Sequence, residues 1–158
     1  MITIARESPR QADVAALIRQ SDVLMAALYP AESHHLVDLD ALAQPHVHVL
    51  VAREEGQALG CGAFVLGAGG QAEMKRVFVD PTARGQGVAR AIMAALEHEA
   101  ASLGVTLMQL ETGIRQPEAI ALYRKFGYVE RGPFGAYQPD PLSLFMEKRL
   151  SSPEVRVS

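Results

Sequence analysis

The chain has 158 residues, 49% of them hydrophobic, and a formal net charge of −3 from 15 Lys+Arg against 18 Asp+Glu. This length supports one domain with a full core, the composition excludes disorder, and without a long basic block nucleic-acid binding is not expected. A lone cysteine, Cys61, excludes an internal disulfide; no apolar run reaches the length of a membrane span, and Met1-Ile2-Thr3-Ile4 lacks a signal-peptide pattern, so a cytoplasmic protein is expected.

Residues 2–6 read as a first strand. Ser8-Pro9-Arg10-Gln11 reads as a helix start, with Ser8 as cap, Pro9 at the first helical position and Gln11 completing a capping box. Leu17, Ser21, Leu24, Met25 and Leu28 continue at helical spacing up to Pro30. After the polar stretch 29–35, a short helix is expected over 36–43, with Leu36, Leu39 and Leu42 on one side. Residues 46–52 read as a strand, Glu55-Gly56 as a hairpin turn, and 58–66 as the returning strand with Gly60 and Gly62 inside it.

A central strand is expected over 72–79, followed by a turn at Asp80-Pro81 and the loop Thr82-Ala83-Arg84-Gly85-Gln86-Gly87. The next helix carries Val88, Ala91, Ile92, Ala95, Leu96 and Leu103 on one face, with Gly104 closing it. A strand over 105–111, a helix opening at Gln116-Pro117-Glu118 and stopped by Gly127, and strands over 128–131 and 143–150 complete the order β-α-α-β-β-β-α-β-α-β-β. No repeat or linker interrupts it, so residues 1–150 are expected to be one domain and 151–158 a tail. The segment 132–141 between the last two strands is longer than a hairpin needs, and long ordered loops are often functional.

A strand feeding a glycine-rich loop at a helix N-terminus is an anion cradle, because main-chain N–H groups converge there and the helix dipole favours negative charge. The loop lacks the Gly-Lys-Ser/Thr ending of a Walker motif, and Arg90 stands where a dinucleotide-binding fingerprint would have its third glycine. What remains is Arg84-x-x-Gly87-x-Ala89, flanked by Lys75, Arg76, Arg84 and Arg90. In this setting it resembles the pyrophosphate loop of the GCN5-related N-acetyltransferases (GNAT), which bind acetyl-CoA. The element order also resembles that whole fold.

The resemblance implies an α/β fold with a mixed central sheet whose fourth and fifth strands splay apart. The pantetheine arm of acetyl-CoA would enter between them, with no metal involved. It places the cofactor along Val77, Phe78, Val79, Arg84, Gly85, Gln86, Gly87, Val88, Ala89 and Arg90. Gln116 stands where the family often has a cofactor-contacting asparagine. The segment Ala119-x-x-Leu122-Tyr123-x-x-x-Gly127-Tyr128 is similar to a family motif whose tyrosine points at the CoA sulfur, which makes Tyr123 the candidate acid; its spacing also suits a core tyrosine. Glu73 resembles the family's catalytic glutamate and is the candidate base, since an alkylammonium near pKa 10.4 must lose a proton before it attacks. The alternative for Glu73 is a solvated carboxylate at a strand end.

Three further stretches are similar to a bacterial subgroup that includes proteins named indole-acetate acetyltransferases. They are Pro30-x-Glu32-Ser33, Leu110-Glu111-Thr112-Gly113, and Pro133-Phe134-x-x-Tyr137-x-x-Asp140-Pro141-x-Ser143-x-Phe145-Met146. His34 and Ala136 depart from that subgroup, which often has Asn and an acidic residue there. From this, Tyr29, Glu32, Ser33, His34, His35 and Tyr137 are expected to line an acceptor pocket for a small-molecule amine; helix caps and rigid turns are the other reading of these loops. Family members often dimerise, so a homodimer through the last strand is also expected. Cys61 has no adjacent base and reads as a buried thiol rather than an acyl carrier, and His46 and His48 alone do not make a metal site. The rival functions are a non-catalytic acyl-CoA sensor and a protein N-acetyltransferase.

Overall fold

Alternation of side chains builds the sheet, and the turns decide its order. In the computed structural model, residues 1–30 and 39–151 are described. They form β1 (Thr3–Arg6), α1 (Ala12–Leu28), α2 (Leu39–Leu42), β2 (Val47–Glu54), β3 (Gln57–Leu66), β4 (Gln71–Val79), a 3-10 turn (Pro81–Ala83), α3 (Val88–Ser102), β5 (Leu107–Gly113), α4 (Pro117–Lys125), β6 (Val129–Arg131) and β7 (Ser143–Arg149). The element order is the one expected. The strands lie in one mixed sheet in the order β1-β2-β3-β4-β5-β7-β6, antiparallel except for β4 beside β5.

Helix α1 begins at Ala12, one turn later than the capping pattern suggests. Ser8 Oγ accepts from the Arg10 N–H, and the Gln11 side chain donates to Glu7 and to the Ser8 carbonyl. Those groups close a turn ahead of the helix, and Gln11 takes the cap position without a side-chain bond. Arg53 explains why this turn is held: its guanidinium donates to Glu7 at 2.9–3.1 Å and to Asp13 at 2.7 Å, tying β2 to the start of α1.

Each face of the sheet has its own core. Val14, Leu17 and Ile18 of α1 pack on Val47, Val49, Val51, Cys61 and Ala63. On the opposite face Ile92, Met93 and Leu96 of α3 pack with Phe64, Met74, Met108, Leu110 and Met146. Burying each such aliphatic side chain contributes about 1.5–3 kcal/mol. Gly62 lets α3 approach: a Cβ there would lie 2.8 Å from both Ile92 Cγ2 and Leu96 Cδ1. Leu103, expected on the apolar face of α3, is instead half exposed at the helix end, whereas Met93, not expected there, is fully buried within the helix. His48 is also a packing residue. Its ring stacks on Phe64 at 4.9 Å and its Nδ1 lies 3.2 Å from Glu99.

The feature that positions the site is in β4. Cys61 pairs with Phe78 and Ala63 with Lys75, so Arg76 and Val77 together oppose Gly62 in a bulge. Arg76 carries a left-handed φ of 59°, and its guanidinium pairs with Asp22 of α1. A bulge bends and twists its strand. Pairing of β4 with β5 covers only Gln71–Met74 against Leu107–Leu110; from Lys75 on, β4 runs without β5 beside it.

Candidate active site

The parting of β4 from β5 opens a cleft lined by Glu73, Lys75, Val77, Glu111, Gly113, Gln116, Tyr123 and Tyr137, with Met25 and Tyr29 of the α1 side at its edge. Strand geometry explains the set. Glu73 and Lys75 alternate onto one face of β4, and the bulge turns Val77 toward the α3 core on the other face. Glu73 sits beside Gln109 in the parallel pair, which puts Glu111 on the same face as Glu73 two residues on. Helix α1 covers that face over β3 and β4. The loop 132–142 covers it over β5 and β7, where Phe134 and Tyr137 pack on Phe145 at 5.9 and 5.4 Å.

Within the cleft the polar groups are tightly connected. Tyr137 Oη donates to Glu73 Oε2 at 2.5 Å. Lys75 Nζ donates to Tyr137 Oη at 3.1 Å and lies 3.2 Å from the same Glu73 oxygen. Burial and the neighbouring Glu73 and Glu111 carboxylates push the Tyr137 phenol well above its ordinary value, so it keeps its proton. Across the cleft Ser143 Oγ donates to Glu111 Oε2 at 2.7 Å.

Tyr123 reaches the cleft from the other face of the sheet. It is buried on α4, edge-on to Tyr128 at a ring separation of 6.0 Å. Burial, with Glu111 nearby, pushes its hydroxyl up to about 12. Gln116 holds the cap position of α4 without a side-chain cap bond, and its Nε2 lies 3.7 Å from Met25 Sδ. The Tyr29 ring is buried, and its hydroxyl accepts from the Arg115 N–H at 3.0 Å. Glu32, Ser33, His34 and His35 lie outside the described residues.

The loop ahead of α3 suits a diphosphate. Asp80 caps the 3-10 turn through the Thr82 N–H at 2.9 Å. Gly85 and Gly87 then take φ values of 80° and 78°, a conformation that costs glycine little. The first four N–H groups of a helix have no intrahelical acceptor; here no side chain caps them, and the first turn holds no acidic residue. Arg84, Gly85, Gln86, Gly87 and Arg90 are exposed, Ala89 is half-buried, and the Val88 side chain is in the core, leaving its main chain for contact. Val77 lines the cleft and, like Val79, packs against the α3-side core, while Phe78 packs toward α1. Arg115, Ser143 and Glu111 had no single-residue signal; the Leu110-Glu111-Thr112-Gly113 and Pro141-x-Ser143 stretches were the available pointers.

Cys61 is buried, with its thiol pushed up to about 12 by burial alone. Among the described residues no cluster of three or more metal-ligating side chains occurs, and no helix is long and apolar enough to cross a membrane.

The acetyltransferase (GNAT) family model matches residues 16–128. An IAA acetyltransferase of Azospirillum brasilense is 53% identical over 150 residues, covering 94% of this chain and 98% of the relative. A crystal structure described as that of an acyl-CoA N-acyltransferase of Klebsiella pneumoniae superposes with a TM-score of 0.82 at 42% identity, covering 96% of this chain and 99% of that one. A PaiA N-acetyltransferase of Thermoplasma acidophilum, solved in complex with coenzyme A, shares the fold with a TM-score of 0.70 at 16% identity, covering 94% of this chain and 99% of that one. On the family model and on this identity and coverage, the chain belongs to the acetyltransferase (GNAT) family and is an acetyl-CoA-dependent acyltransferase.

Proposed function

We propose that the protein transfers an acetyl group from acetyl-CoA to the primary amine of a small metabolite, by direct transfer in a ternary complex. The observation that carries this reading is that Glu73 and Tyr123, from opposite faces of the sheet, line one cleft where β4 leaves β5. Bound acetyl-CoA supplies the activated acyl group. In this reading the main chain at 84–90, with the Arg84 and Arg90 side chains, holds its diphosphate, and Gln116 flanks the thioester arm. Glu73 takes the proton that the ammonium must lose. Tyr123, protonated throughout the working range, donates to the departing thiolate. The relative's name, IAA acetyltransferase, fits a small-metabolite acceptor.

Direct transfer is favoured over an acyl-enzyme because the lone thiol, Cys61, is buried and held protonated. The test is initial-rate kinetics with acetyl-CoA and a broad amine panel, read by product mass. Intersecting lines are expected. Parallel lines, or an acetyl group trapped on Cys61, overturn direct transfer, and cofactor binding without turnover of any amine points to a sensor.

A further inference from the structure

We infer that Tyr137 is a positioning residue for Glu73: its hydroxyl ties down one oxygen of the carboxylate, Oε2, and leaves the other, Oε1, to meet the acceptor amine. The inference rests on Glu73 being the base and deepens that reading. Both of the carboxylate's fixed contacts converge on the same atom. Tyr137 Oη lies 2.5 Å and Lys75 Nζ 3.2 Å from Oε2. Among the described residues, no hydrogen bond or ion pair engages Oε1. Glu73 lines the cleft with its side chain 21% exposed, so a free oxygen there faces the space a substrate would fill.

The tyrosine is itself held from two sides. Its ring packs on Phe134 at 5.2 Å and Phe145 at 5.4 Å, and its N–H donates to the Phe134 carbonyl at 3.1 Å, closing a turn in the loop between β6 and β7. Its hydroxyl accepts from Lys75 Nζ at 3.1 Å while donating to Glu73, which fixes the direction of the phenol proton. A carboxylate on a strand would otherwise rotate about its terminal torsion, which is broad and two-fold. Anchoring one oxygen removes that freedom, the kind of pre-organisation that speeds proton transfer. In the step itself, one N–H bond of the ammonium breaks and its proton forms an O–H bond at Oε1. The freed lone pair forms the N–C bond to the acyl carbon, the acyl C–S bond breaks, and the thiolate leaves with the Tyr123 proton. The second proton that the nitrogen sheds as the amide forms is the one that Tyr123 regains. Tyr137 keeps its own proton throughout.

Other charges bear on Glu73. Lys75 and Arg76 are on its own strand, Asp22 of α1 pairs with Arg76, and Glu111 of β5 faces it from across the cleft. Tyr137→Phe keeps the ring and alters none of these charges. The deciding measurement needs no acceptor: carbon-13 titration of glutamate side-chain carboxyls, with the Glu73 signal identified by its loss in Glu73→Gln. Tyr137→Phe removes a donor from the charged form of the carboxylate, so the Glu73 signal should titrate at higher pH in the variant than in the parent. With acetyl-CoA and a panel of amino acids and alkylamines, turnover should fall about tenfold and its acid limb should move in the same direction, with the acetyl-CoA KM unchanged. An unmoved Glu73 titration in Tyr137→Phe overturns the positioning role. Full turnover in Glu73→Gln overturns instead the reading of Glu73 as base, so the two failures are distinct.

Discussion

Gly113 leaves vacant the space that the Tyr29 ring occupies: a Cβ built on Gly113 would lie 1.8 Å from Tyr29 Oη and 2.1 Å from Cζ. The contact joins the end of α1 to the end of β5, on the rim of the cleft. Gly113→Ala should expel the ring and leave the Arg115 N–H without its tyrosine acceptor, destabilising the protein by about 1–3 kcal/mol. Denaturant unfolding checks this. The double variant Gly113→Ala, Tyr29→Ala should be no less stable than Tyr29→Ala alone, because the two side chains compete for one volume.

Gly87→Glu should abolish acetyl-CoA binding while leaving the protein folded. The position is exposed and a Cβ there meets nothing within 4 Å. The left-handed backbone costs a non-glycine residue only about 1–2 kcal/mol. A carboxylate at the helix start would, however, oppose a diphosphate. Calorimetry with acetyl-CoA should show affinity reduced by more than about a hundredfold (about 2.7 kcal/mol), with an unchanged circular dichroism spectrum. Parent-like affinity would remove the loop from the binding site.

Tyr123→Phe should lower kcat about a hundredfold with little change in either KM, since it removes a proton donor rather than a binding surface. The hydroxyl is pushed up to about 12. It is therefore protonated across the ordinary pH range, and the parent's profile should show no alkaline limb from this group below about pH 10. A limb that appears there and vanishes in Tyr123→Phe would contradict the burial that holds it up.

Hydrogen bonds from Arg53 hold the Glu7 and Asp13 carboxyls below their ordinary values. Groups lowered on folding stabilise the protein above their unfolded pKa values, about 4, and that contribution is lost as pH falls through the lower folded values. Glu7 is largely sheltered but Asp13 is half exposed and screened by solvent, so the cluster is worth about 1 kcal/mol. Arg53→Met should be less stable than the parent at pH 7 by that amount, and the gap should close toward pH 3 in thermal unfolding.

Much of this arrangement can be read from the chain because its signals are local. Val77-Phe78-Val79-Asp80-Pro81 followed by Gly85 and Gly87 fixes strand, turn and helix start within seventeen residues of Met74. Gly104 and Gly127 end their helices where left-handed backbone is needed, at φ 89° and 95°. Long-range partners are not readable in this way. Tyr137 and Glu73 are 64 residues apart, and nothing local in either segment records that they share a proton-bearing contact. The same holds at α1, where Ser8 has the composition of a cap but Arg53, from a distant strand, anchors the turn before the helix. Glycines inside strands carry two meanings that one sequence does not separate: Gly62 admits a helix, and Gly113 admits a ring.

The parallel seam between the sheet's two halves is four residue pairs long. A slot for a slender, extended molecule therefore arises from closure left unfinished, not from volume hollowed out of either packed layer.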